Sequence, residues 1–383
     1  MSTIKVQQIQ HTSSSTNAIS LASDGTCTAN ITSINGGSIG TKNLIFNGGM
    51  EISQRDTSFN QPANAAYTLD RFAIFRNGAG IMDIEQSTTV PTGEGFKNSL
   101  KCTVDTADSS MGSVDFGGLY YKIEGQDITQ FEFGNSSAKQ FTLSFYVRSN
   151  ITGTYSVSFR NGSATRYLVK EYTISSADTW QKITITDTAD LTGTWASDNT
   201  TGLQIMWCLW QGGYSGAPNS WQAGNIIGST SNVNWVATVG NTFYLTGVQF
   251  EFGSVSTNFE FKSFNQELDL CKRYCQVIAK HNSHGNGHVY IGTGYSYGTS
   301  QPEIILRWEK EMRSTPSLVQ GTGTNYFQFA ISGQSANMTS WNAYQFSTLS
   351  GLLYSSATGL TNGRSYRGIT NNVGAYLILS AEL

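Results

Sequence analysis

Between residues 140 and 262 apolar and polar positions alternate with a period of two. Phe141, Leu143, Phe145 and Val147 fall on one face, and Thr142, Ser144 and Arg148 on the other, the pattern of a half-buried strand. Tyr155, Val157 and Phe159 repeat it, Ile183 and Ile185 follow, and Leu203, Ile205, Trp207 and Leu209 make a longer row. From Phe243 and Leu245 to Val248, Phe250 and Phe252 the apolar phase slips by one residue at Gly247, which predicts a β-bulge there. Strands of this kind, joined by Gly, Asn and Ser loops with no long helical stretch, predict a two-sheet antiparallel β-sandwich over residues 43–262.

The flanks read differently. Residues 1–42 are small and polar, and their isolated apolar residues (Ile4, Val6, Ile9, Ile19, Leu21, Ile31, Ile34, Ile39) bury too little to offset the entropy of ordering. Either this leader is disordered, or it orders by winding with identical chains or docking on a partner. Residues 263–280 predict one helix, because Ser263 and Gln266 have capping-box spacing and Phe264, Leu268, Cys271, Cys275 and Ile278 recur at three and four. Its apolar stripe would pack on the sandwich or against symmetry copies in a small bundle. Residues 281–383 return to strand patterns at 288–292, 303–309, 325–331 and 375–383, separated by turns at 332–340 and 361–365. With few charges, this second small β unit is expected to draw part of its core from oligomer contacts. The expected fold class is all-β: an extended N-terminal segment, an antiparallel sandwich, a short helix and a small C-terminal β domain.

Composition narrows the partners. The 383 residues include 40 Gly but only 5 Pro, with 38% hydrophobic and 13% charged residues, enough apolar content for packed cores and unlike a disordered chain. With 23 Lys+Arg against 26 Asp+Glu the net charge is −3, so no basic field exists for a phosphate backbone, and nucleic acid is not an expected partner. The longest strong apolar run, residues 205–210, is far short of the ~20 residues of a membrane helix, so a soluble chain without membrane insertion is expected. The first residues lack a charged segment followed by an apolar one, and secretory export is not expected. Cys27, Cys102, Cys208, Cys271 and Cys275 form an odd, scattered set, which reads as reduced thiols used as small apolar side chains.

Residues 43–51, NLIFNGGME, resemble the first strand of carbohydrate-binding jelly-roll modules that begin NLxxNGxFE, and residues 141–150, 180–182 and 243–251 recur in the matching order. Residues 43–59 with YTLDRF at 67–72, and residues 247–274, are similar to tailed-bacteriophage fibre proteins in which a jelly roll closes with a helix rich in Leu, Cys, Arg and Tyr. The opening MSTIKVQQIQ, and EKEMRSTPSL at 309–318 with the final AEL, are similar to the same fibres. The resemblance implies a homotrimer assembled in the bacterial host cytoplasm and carried on the virion. It implies a leader that anchors to tail or head proteins, here through Ile4, Val6 and Ile9, and a distal domain that contacts host-surface glycan or an outer-membrane component. Alternatives are a head-attached fibre or capsid decoration protein, a polysaccharide depolymerase, and a freestanding lectin.

Sugar rings pack their CH faces on exposed aromatics and need directional partners for their hydroxyls. Trp210, Tyr214 and Trp221 sit in one Gly-rich stretch, and Tyr290, Tyr295, Tyr297, Trp341 and Tyr344 form a second candidate set in the distal unit. Related jelly rolls hold calcium through the Glu of the first-strand motif and an Asp of the last strand. Here Glu51 holds the first position but residues 245–248 carry no acid, which favours Glu51 as a hydrogen-bonding group over a calcium ligand. His281, His284 and His288 would gather nine imidazoles in a trimer, yet their spacing matches no zinc signature and they read as solvated loop residues more readily than as a transition-metal site. No cofactor is implied. Motifs for a nucleophile elbow, a zinc protease, a P-loop or a dinucleotide site are absent, and Asp105, Asp108, Glu303, Glu309 and Glu311 read as solvated carboxylates, so catalysis is not expected.

Overall fold

The computed structural model describes residues 43–281 and 287–383, together with five short strands in the leader. There β1 (Gln8–Ile9), β2 (Ile19–Leu21) and β3 (Cys27–Ala29) make a small antiparallel sheet, and β4 (Ser33–Ile34) pairs with β5 (Gly37–Ser38). Ile4 and Val6 lie outside the described residues, while Ile9 pairs through its backbone with Ile19.

Two six-stranded antiparallel sheets form the sandwich, as the alternation predicts. One runs β16 (Gln222–Ala223), β13 (Arg166–Ile174), β12 (Gly153–Asn161), β15 (Thr201–Gln211), β10 (Phe116–Glu124), β7 (Phe72–Asn77). The other runs β14 (Gln181–Thr188), β11 (Gln140–Ser149), β17 (Thr242–Phe252), β9 (Ser99–Thr106), β8 (Ile81–Ser87), β6 (Ser58–Phe59). Inward residues such as Phe145, Val157, Phe159 and Trp207 are fully buried between them, with Trp207 edge-on to Phe145 at 5.8 Å. The slip at Gly247 is a bulge: Ser144 pairs with Gln249 and Tyr146 with Thr246, so two residues of β17 oppose Phe145 alone. Gly247 has φ +61°, and a Cβ there would come within 2.5 Å of the Phe96 ring.

Several expectations need correction. Residues 43–51 do not form a first strand; Asn43 docks by its side chain, accepting from Phe250 N and donating to Val248 O at 3.0 Å each, and the chain then turns. The helix α1 spans only Phe264–Lys272, with the Ser263–Gln266 capping box in place, and packs on the sandwich, where Glu267 accepts from Asn47 N. Residues beyond it form β18 (Cys275–Lys280), antiparallel to β27 (Tyr376–Ser380). Phe264 is exposed, and the apolar repeat running through Ile278 joins a short helix to a strand. In the distal unit residues 332–340 are not one turn: β23 (Gln334–Met338) pairs with β22 (Phe327–Ile331) across a tight turn at Gly333.

The distal unit has two antiparallel sheets. β21 (Ser317–Gln320) and β18 flank β27; the larger sheet orders as β23, β22, β26 (Ser365–Thr370), β19 (Tyr290–Tyr297), β20 (Gln301–Arg307), β25 (Ser350–Tyr354), β24 (Asn342–Tyr344). It has a buried core within the chain, with Ile304, Phe327, Phe329, Trp341, Tyr366 and Leu377 among its members.

A polar junction joins the two units. Glu382, beyond β27, meets Arg71 at 2.5 Å and Arg55 at 3.1 Å. Arg71 is 1% exposed, its guanidinium 3.5 Å from the centre of the Tyr274 ring, and its left-handed backbone (φ +71°) stores about 1 kcal/mol of strain. Arg273 clasps buried Glu124 with bonds of 2.7 and 2.8 Å, and Arg313 donates to the main-chain oxygens of Asn199, Ala381 and Glu382.

Candidate functional site

The outer face of the β16–β7 sheet carries a cleft of about 280 Å³. Strand register builds it. Because alternate residues of a strand share a face, Phe116, Tyr120 and Lys122 of β10 point outward while Leu119, Tyr121 and Ile123 enter the core. Tyr120 pairs with Ala73 and Met206, and Met206 with Ser158, giving one cross-strand row; Lys122, Gln204, Arg160 and Tyr167 pair in succession as the next. Phe75, Tyr120, Met206 and Ile227 form a nearly buried floor. Half-buried Phe116 and Tyr214 rise beside it, edge-to-face at 5.1 Å. Tyr214 is held by the loop after β15, its carbonyl accepting from Ile227 N at 3.0 Å and Gly228 N at 3.2 Å.

The polar row is anchored. Arg160 donates from Nε (3.2 Å) and Nη2 (2.5 Å) to Gln204 Oε1, and from Nη1 to Asn225 Oδ1. Burial lowers its pKa to about 10. Lys122 Nζ lies 5.1 Å from the Tyr120 ring centre and donates at 2.7 Å to the oxygen of Leu383, the last residue. Burial, then the nearby Arg160 and Arg71 charges, lower the Lys122 pKa to about 8 from 10.5. Between those two values the unfolded chain holds a proton that the folded protein has released, so this residue makes stability rise with pH there. Wild type is therefore expected to gain on Lys122→Met from about pH 7.5 to about pH 9.5 in urea titrations; a constant difference would contradict the lowered pKa.

Of the sequence candidates, Tyr214 lines the cleft and Trp210 does not. Trp210 is fully buried, stacked on Trp235 with ring centres 6.2 Å apart. Gly117 pairs with Trp210 but Gly118 with Cys208, and this bulge turns Trp210 inward. A Cβ on Gly117 would lie 2.0 Å from the Trp210 ring, so glycine makes room for it. Trp221 is half-buried against Trp195 and Phe133, its indole N–H donating to Thr188 O at 2.8 Å, and it is not among the cleft-lining residues. Trp341 is buried in the distal core, which corrects its assignment as a contact. Tyr290, Tyr295, Tyr297 and Tyr344 are exposed on or beside the larger distal sheet, in company with exposed Ile305.

Glu51 has Lys97 Nζ at 4.0 Å, and Thr246 of β17 donates to Asn98 O at 2.8 Å. His281 and His288 lie with ring centres 6.1 Å apart, their Nδ1 atoms near Thr370 Oγ1 (3.3 Å) and O (2.8 Å); His284 is outside the described residues. Partial burial, then His288, lower the His281 pKa. Among the described residues no three His, Cys, Asp or Glu side chains converge as a metal site requires. The carboxylates weighed for catalysis serve local contacts: Asp105 accepts from Gln61, Asp108 from Ser110 N, Glu303 from Gln301, Glu311 from Thr348, and Glu309 pairs with Lys272. The described Cys102, Cys208, Cys271 and Cys275 are buried free thiols whose pKa burial raises.

The sequence reading missed Phe116, Tyr120, Lys122, Arg160 and Gln204. A signal was present: β15 is apolar on both faces, with Met206 and Cys208 opposite the core row, as in a strand whose outer face is also covered.

No protein-family model and no curated relative matches the chain. Among solved structures it is similar to the enzymatically active domain of bacteriophage CBA120 tailspike protein 4, with 11% identity and a TM-score of 0.30, over 51% of this chain and only 21% of that one. It is similar to a family 4 carbohydrate-binding module at 16% identity and a TM-score of 0.30, over 54% of this chain and 97% of that one. A family 11 carbohydrate-binding module from Clostridium thermocellum, in complex with a β-1,3-1,4-mixed-linked tetrasaccharide, aligns at 12% identity and a TM-score of 0.26, over 52% and 98%. With TM-scores of 0.30 or less, function is left to be read from the cleft itself.

Proposed function

We propose that this chain binds glycan through the cleft on the β16–β7 sheet and serves as a homotrimeric fibre of a tailed-phage virion, held by its N-terminal segment and engaging the host surface. One observation carries the binding half: Phe116 and Tyr214 offer ring surface beside Lys122, Arg160, Gln204 and Asn225, which supply donors and acceptors for sugar hydroxyls. No carboxylate is among the residues lining that cleft, whereas glycosidic cleavage by the usual route needs two, so the proposal is capture without hydrolysis. The fibre half is supported by the resemblance of residues 1–10, 43–59, 67–72, 247–274 and 309–318 to phage fibres. Three weak sites on one particle, and several particles on one virion, would gain avidity without any new contact.

Light scattering should give three chains per particle. A soluble panel of bacterial surface oligosaccharides titrated calorimetrically should include a ligand whose affinity falls about tenfold in Tyr214→Ala, the loss of roughly 1.4 kcal/mol of ring contact. A monomer would overturn the fibre, and binding indifferent to Tyr214 would overturn the cleft.

A further inference from the structure

We propose that the cleft selects an acidic sugar, whose carboxylate sits on the open N–H groups of Arg160, beside Gln204 and on the side of Lys122. This rests on the glycan reading above and specifies its ligand. Arg160 on β12 and Lys122 on β10 flank β15 in one cross-strand row, because both pair in register with Gln204. Neighbouring strands are ~4.8 Å apart, so the two backbones are separated by ~10 Å, with an amide between them.

Of the two cations, Arg160 is the one whose hydrogen-bond partners include no carboxylate. Arg55, Arg71, Arg148 and Arg166 in the same sandwich each meet an Asp or Glu, whereas the partners of Arg160 are the amide oxygens of Gln204 and Asn225. Those bonds use three of the five guanidinium N–H groups and leave one on each Nη. They fix the plane of the guanidinium without neutralising it, which prepares it for a second, charged acceptor. Lys122 already meets the oxygen of Leu383, the last residue, and the Tyr120 ring, with Glu382 near enough to favour its charge, so it adds positive field to the row while Arg160 offers the open N–H groups.

The lowered pKa values of both groups agree, since each cation is partly desolvated and the Arg160 charge counts against the Lys122 proton. An anion on Arg160 would relieve its desolvation penalty and offset its repulsion of the Lys122 proton. The chain as a whole carries −3, so attraction to an anion is local to this cleft and not a property of the surface. The aromatic floor and rim, with Phe116 and Tyr214 beside the cations, ask for a ring with CH faces attached to the charge, which inorganic anions lack.

The test uses the full chain and matched probes: oligogalacturonate, hyaluronan fragments and oligosialic acid, each beside its carboxyl-reduced counterpart, titrated at low and moderate salt. At least one acidic member should bind roughly 10- to 100-fold tighter than its reduced form, with the ratio shrinking as salt rises. Arg160→Gln, and separately Lys122→Met, should bring that ratio towards one, with far-ultraviolet circular dichroism confirming the fold. Equal or tighter binding of the reduced sugars by wild type would overturn the acidic selection and leave glycan binding standing. Binding of none of the six probes would overturn the acidic selection, and failure of the bacterial oligosaccharide panel as well would overturn the glycan reading.

Discussion

Glu382→Ala is expected to lower the stability of the full chain by about 3–5 kcal/mol, the cost of leaving buried cations without their counter-charge. The carboxylate is 4% exposed and holds Arg71 and Arg55 at 2.5 and 3.1 Å, and Arg71 sits between the Tyr274 and Tyr121 rings where water cannot replace the lost partner. Arg71 Nη2 also donates to Lys122 O at 2.6 Å, so the disturbance reaches a strand of the cleft. Glu382→Gln should lose nearly as much, because an amide keeps the shape and removes the charge. A triple Arg55→Met, Arg71→Met, Glu382→Leu variant should recover much of the loss, since apolar groups of similar volume often replace a buried ion cluster without penalty when no charge is left behind. Urea unfolding of the variants measures this. A loss below about 1 kcal/mol in Glu382→Ala would mean that the junction is no more than a surface contact.

Trp210→Ala is expected to cost about 3–5 kcal/mol through the cavity it leaves, while the glycan affinity of the folded protein stays as in wild type. Tyr214→Ala should do the opposite, weakening binding at little cost in stability. The contrast separates two rings four residues apart in the sequence, one stacked on Trp235 inside the sandwich and one on the rim of the cleft. If Trp210→Ala abolished binding in a protein that unfolds at the wild-type midpoint, the inward placement of this ring would be wrong.

The same two residues mark what the sequence discloses. Alternation made β11, β12, β15 and β17 legible, and the bulge at Gly247 was legible because the apolar phase of β17 itself slips there. The bulge that buries Trp210 was not, because the glycines opposite it, Gly117 and Gly118, lie on β10, some ninety residues earlier, and nothing within β15 betrays it. The second half of the expected helix failed for a related reason. Cys271 and Cys275 are one helical turn apart, yet Cys275 is also the first residue of a strand, and only the arrival of β27 decides between the two. The cleft was the least legible feature. Its floor and polar row come from β7, β10, β12 and β15, and Lys122, Arg160 and Gln204 each look locally like a residue on a solvated face. Only pairing across strands places the three in one line.

Arg71 and Glu382 are separated by 311 residues. At a synthesis rate of about 5–20 residues per second, roughly 15–60 s pass between the emergence of one and the other. Once β17 has been made the sandwich can close around its own core, but Arg71 still has no Glu382, and the distal unit cannot complete its smaller sheet until β27 has been made. The junction thus ties the sandwich to the last part of the chain to be made: a chain truncated before residue 382 leaves the buried Arg71 guanidinium without this carboxylate.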